Sequence, residues 1–170
     1  MRIKVPAAFQ ISPFVNEELI YDETSIEYTI QNGYFTYDIL KGQDIPAYEP
    51  WLDVDYAIPL VLESWKSNKP SISRLFKERK RDEAQPLMVH YTAHYLSSLY
   101  WLNGLYVRTP QLAISNLNML SSKPVNIEER FVFIINRPGH YHAFIQLIQL
   151  YEELEKLFAA MMIKKKRPSK

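Results

Sequence analysis

The chain has 170 residues, 47% of them hydrophobic, and its 20 basic and 19 acidic side chains give a formal net charge of +1; this balance excludes intrinsic disorder and suffices for one core. It contains no cysteine, which excludes a disulfide scaffold, a zinc–thiolate site and a thiol nucleophile and fits a reducing compartment. Its four glycines make neither common phosphate-binding loop, and no apolar run reaches the roughly 20 residues of a membrane span or makes a signal peptide over Met1 to Ile11, so one cytoplasmic domain without a membrane segment is expected.

The first 50 residues are interrupted by Gly33, Gly42, Pro46 and Pro50. They show no clean apolar period, and short helices joined by loops are expected there. Residues 55–66 predict a helix with Pro59 in its first turns or kinking it. Ser71 caps a second helix over 72–83. Gln85-Pro86 opens a third, over 86–103, which Gly104 closes from the left-handed position. Ser12-Pro13, Thr109-Pro110 and Arg137-Pro138 also read as helix starts. Asn126 followed by Glu129 has the spacing of a capping box before Phe131, Val132, Ile134 and Ile135, and predicts a short helix to Asn136. Pro138 starts the longest helix, which runs to Ile163.

Residues 1–163 thus form one domain, followed by a flexible basic tail over 164–170. The fold expected is all-α: a compact bundle of about five to seven helices around a central helix at 86–103 and a long amphipathic helix at 138–163. On the long helix Phe144, Leu147, Leu150, Tyr151 and Leu154 share one face, opposite Gln146, Gln149 and Glu153. Residues 86–103 are apolar around nearly the whole circumference, as in a central helix. Their least apolar sector holds His90, His94, Ser97 and Trp101, which must face a hydrogen-bonded interior site, a cleft or solvent.

His90 and His94 stand four residues apart, so their imidazoles stack on one helical face at a spacing many metal sites use. His140 and His142 are about 200° apart on a helix, and only His140 points along the apolar face. It is the better third ligand. Against a metal enzyme built on His90, His94 and His140 stand the tyrosine at position 91, where a metalloprotease motif has glutamate, and the lack of any Glu-x-x-His pair for a di-iron site. Packed histidines bonded to their neighbours are the simpler reading. No cofactor is expected beyond that candidate metal ion.

The near-neutral total hides an asymmetry. Residues 1–65 carry 3 basic and 11 acidic side chains, whereas residues 66–81 carry 7 basic and 1 acidic, and the tail adds five more cations. Arg74, Lys77 and Arg81 share one stripe of the helix expected at 72–83, with Ile72, Leu75 and Phe76 opposite. Together with Lys164, Lys165, Lys166 and Arg167, this stripe is the candidate surface for a protein or nucleic-acid partner. The alternative is a solvated helix neutralised by the acidic first third. A non-catalytic interaction or regulatory protein is the expected function, and the metal enzyme is the alternative.

The segments PWLDVDYAIPLVLESWK (50–66), HYTAHYLSSLYWLNG (90–104) and NRPGHYHAFIQLIQLYEELEKL (136–157) resemble the YpoC-like family of small proteins from Gram-positive bacteria. The likeness covers residues 45–163. It implies a cytoplasmic bacterial protein whose gene lies near replication and repair genes, which leans toward nucleic-acid-associated partners. It transfers no site residues.

Overall fold

The computed structural model describes residues 1–166. Two helices, α3 (Val54–Lys77) and α4 (Arg81–Leu102), form a hairpin that sets the axis of the molecule. The sequence divides α3 into two helices at Ser71, but it is continuous. Pro70 removes one backbone bond from its middle, a local cost of about 3 kcal/mol. The apolar stripe Ile58, Val61, Trp65, Ile72 and Phe76 keeps one phase across that point and is buried throughout. Packing of the stripe overrides the proline, and Ser71 is an interior residue rather than a cap.

α3 ends when Arg79 takes a left-handed conformation at φ 58°. The Lys80 N–H then bonds the Leu75 carbonyl at 2.8 Å and the Arg79 N–H bonds that of Phe76 at 3.1 Å, which is a Schellman motif. α4 begins at Arg81, five residues ahead of the expected start, with Asp82 and Glu83 in its first turn and Pro86 inside the helix. From Met88 onward nearly every side chain is buried. Its far end closes as expected, with Gly104 at φ 74°.

The longest helix, α7 (Tyr141–Lys166), starts three residues after Pro138. It runs antiparallel to α3: Phe76 meets Tyr141 at one end, Trp65 stacks on Tyr151 at 4.4 Å in the middle, and Lys165 pairs with Asp55 at 2.9 Å at the other end. Lys164, Lys165 and Lys166 form its last turn, and so belong to the helix rather than to a flexible tail. Arg167 and the rest of the tail expected over 164–170 lie outside the described residues.

The remaining elements cover the sides of this core. α5 (Pro110–Ser115) starts as read, with Pro110 first in the helix and Thr109 Oγ1 accepting from the Leu112 N–H. α6 (Ile127–Asn136) also falls where expected, but Asn126 is left-handed and makes no side-chain cap, so there is no capping box. The first third holds α1 (Ile26–Asn32), α2 (Thr36–Gly42) and two three-residue strands, β1 (Arg2–Lys4) and β2 (Glu18–Ile20), paired antiparallel with Ile3 opposite Leu19. Pro13 sits in a turn of this region, not at a helix start. Among the described residues, seven α-helices and one small sheet make the all-α bundle that the sequence implies. Among the described residues no helix is long and apolar enough to cross a membrane.

Candidate functional site

The polar sector of α4 faces the α1–α2 segment, where it makes a hydrogen-bonded interior site. Asp38 is its centre and is 1% exposed. Its Oδ2 accepts from Ser97 Oγ at 3.1 Å, and its Oδ1 accepts from Trp101 Nε1 at 3.1 Å and from the Val107 N–H at 2.8 Å. Burial pushes the carboxyl up to about 6, although all three donors pull the other way. One carboxyl thereby ties α2, α4 and the chain entering α5 together. The sequence offered one signal for it: an acid within Phe-Thr-Tyr-Asp-Ile-Leu, a run otherwise lacking charge. Without a period to place that run, the signal is weak.

His94 lies one turn before Ser97. Its Nε2 is 2.7 Å from the Gly33 carbonyl, which can only accept, so Nε2 carries the proton and Nδ1 is bare. Nδ1 is buried without a partner. The His90 ring stands 4.5 Å from that of His94 and edge-on to Tyr34 and Tyr91. Burial, and then the neighbouring His94, push His90 down to about 3; burial alone pushes His94 down to about 4, against the Gly33 and Ile30 carbonyls. Both imidazoles are neutral at ordinary pH.

The expected third ligand does not join them. His140 is exposed just ahead of α7, at the end of the bundle where a β-carbon on Gly139 would meet Gln85 Oε1 at 3.0 Å. Among the described residues no group of three histidines or acids could hold a metal ion. His90 instead lines a groove of about 550 Å³ between three helices. α1 supplies Glu27 and Ile30, α3 supplies Leu60, Glu63 and Ser64, and α4 supplies Leu87, His90 and Tyr91. Each set follows helical spacing. Ser64 Oγ and the Tyr91 hydroxyl are hydrogen-bonded at 2.9 Å across it.

The candidate cations occupy two opposite ends. Arg74 and Lys77 project from the last turn of α3, while Arg81 is the first residue of α4. All three are exposed, as are Arg79 and Lys80 between them. The structure therefore replaces a single-helix stripe with a basic corner. The α6–α7 corner reaches the same end, where Tyr141 packs on Phe76, and adds exposed Arg137, His140 and His142. Lys164 to Lys166 lie at the far end of α7, about 36 Å away by helix rise. They form a separate surface, and there Lys165 already pairs with Asp55.

Among the described residues no acid of the first third forms an ion pair with the corner. Among the described residues, those that form ion pairs meet Arg2, Lys41 and Lys165. At the corner itself the one pair is Lys80 with Glu78, at 3.3 Å.

Fold and surface together define a small helical bundle with an exposed basic end and a groove beside its central helix. The chain belongs to the YpoC-like family, whose pattern it matches over residues 55–166. It is similar to a Bacillus subtilis (strain 168) protein named Uncharacterized protein YpoC, with 35% identity over 109 residues. That stretch is 64% of this chain and 66% of the relative, so the chain spans just under two thirds of the relative's length. No solved structure matches the chain. The family match takes in α3 to α7, and with them the basic corner and both His90 and His94. It leaves out Glu27, Gly33 and Asp38.

Proposed function

We propose that the protein is a non-catalytic binding protein of the cytoplasm that holds a nucleic acid by its phosphates through the basic end of the bundle. The observation that carries this reading is the convergence of two chain corners. The α3–α4 corner brings Arg74, Lys77, Arg79 and Arg81, the α6–α7 corner brings Arg137, and all five are exposed without an ion-pair partner among the described residues. Cations grouped on one face attract phosphate through release of condensed counterions, whatever the net charge of the whole chain.

The backbone at Arg79 adds support. A left-handed C-terminal cap favours glycine, and a long side chain there is strained by about 1 kcal/mol. An arginine kept at such a position presents its charge at the tip of the hairpin.

The test is fluorescence anisotropy with labelled duplex and single-stranded DNA and with RNA, over a salt series. Binding is expected to weaken with a log–log slope near −4, from about five phosphate contacts. The Arg74→Ala, Arg81→Ala variant should lose about two units of that slope. Absence of binding at low salt to every probe overturns the reading, and so does an unchanged slope in the double variant.

A further inference from the structure

The groove beside His90 has the opposite character to the basic end. Its volume of about 550 Å³ is that of a small-ligand site. Two exposed carboxylates, Glu27 on α1 and Glu63 on α3, stand on its walls, and no lysine or arginine lines it. Neither carboxylate has an ion-pair partner among the described residues. Glu27 accepts one long bond, at 3.4 Å from Gln31 Nε2. Ile30, Leu60 and Leu87 give the groove apolar surface, and the neutral imidazole of His90 faces it from α4.

Such a lining selects by charge. Two carboxylates with no cation in the same lining repel an anionic ligand and favour a cation. A bare divalent ion does not fit, because no third histidine or acid joins these groups to complete a metal site among the described residues. The cation that does fit spreads over the groove, with its charge at the carboxylates and an apolar body on the floor.

We propose that this groove binds a small organic amine, with its ammonium group held by Glu27 and Glu63 and its carbon body against Ile30, Leu60 and Leu87, beside His90. The site is independent of the basic end, and either can fail without the other.

The probes are pentylamine and 1,5-diaminopentane, with pentanol and pentanoate as their neutral and anionic counterparts. Each is titrated into the full chain while the His90 imidazole resonances, assigned from the spectrum of His90→Gln, are followed by NMR. Both amines should shift these resonances saturably and more tightly than pentanol, and pentanoate should not. The Glu27→Gln, Glu63→Gln variant should bind the amines at least about tenfold more weakly. Both glutamates are exposed, so this variant should keep the circular dichroism and urea midpoint of the parent. No saturable shift by either amine up to about 10 mM overturns the proposal. It is equally overturned if pentanol or pentanoate matches pentylamine, or if the double variant keeps full affinity.

Discussion

Trp101 donates its indole N–H to Asp38 Oδ1 at 3.1 Å, joining the last turns of the central helix to the acid of α2. Because the folded carboxyl holds its proton up to about 6, against an ordinary 3.8, its contribution to stability is full below about pH 4 and lost as pH rises through 6. Asp38→Asn removes this charge and can keep every bond, with Oδ1 accepting from Trp101 and Val107 and Nδ2 donating to Ser97 Oγ. Asp38→Ala leaves three donors unpaired and should be less stable by about 3 kcal/mol. At pH 7.5 the asparagine variant should match or exceed the parent in urea unfolding. A loss as large as that of the alanine variant would contradict this account.

The α4 histidines act with the opposite sign. His90 and His94 are held neutral down to about 3 and 4, so each contributes stability that is present above the unfolded value near 6.5 and lost as pH falls. Between pH 6.5 and 4.5 unfolding takes up protons at two imidazoles and releases one from Asp38. The net uptake makes the parent less stable on acidification, by up to about 1.4 kcal/mol per pH unit where one whole proton is exchanged. His94→Gln, whose amide can still donate to the Gly33 carbonyl, should flatten this slope. Thermal midpoints across the range measure it, and an unchanged slope in the variant would place the titration elsewhere.

These two buried groups differ in how well the sequence reveals them. The polar sector of α4 can be read because the helix is apolar everywhere else, so His90, His94, Ser97 and Trp101 stand out on a known period. Their partners cannot be read, since Gly33 and Asp38 lie in a region of short elements where no period assigns a face. The continuity of α3 was hidden for another reason. Pro70 and Ser71 are local stop and start signals, and they are overridden by the buried stripe from Ile58 to Phe76, a tertiary effect. The same misreading put Arg81 on a helix with Arg74 and Lys77. Arg74, Lys77 and Arg81 are exposed, but their geometry is a corner between two helices.

Arg130 of α6 meets Glu153 of α7 through both terminal guanidinium nitrogens, Nη1 to Oε1 at 3.1 Å and Nη2 to Oε2, and Nη1 also reaches the Val125 carbonyl. The Arg130 side chain is only 20% exposed, so this two-point pair is worth more than a surface ion pair. Arg130→Ala should lower stability by roughly 1–2 kcal/mol, and Arg130→Lys should recover less than half of that because an ammonium cannot make both contacts. Urea unfolding of the two variants checks this. Full recovery by lysine would mean that charge alone matters.

Arg79 separates binding from stability. Three left-handed residues close helices here through the same pair of bonds: Asp44 after α2, Arg79 after α3 and Gly104 after α4. Aspartate tolerates that conformation and glycine prefers it, but arginine gains nothing from it. Arg79→Gly relieves the strain at the cap while leaving the Leu75 and Phe76 carbonyls paired, although glycine is freer in the unfolded chain. The net expectation is a gain of about 0.5 kcal/mol in stability. If the basic end holds phosphates, the same substitution should weaken DNA or RNA binding and lower the salt slope by about 0.9. Greater stability with weaker binding would identify Arg79 as a residue kept for contact. Unchanged binding would remove it from the interface, and lowered stability would show that its side chain supports the corner.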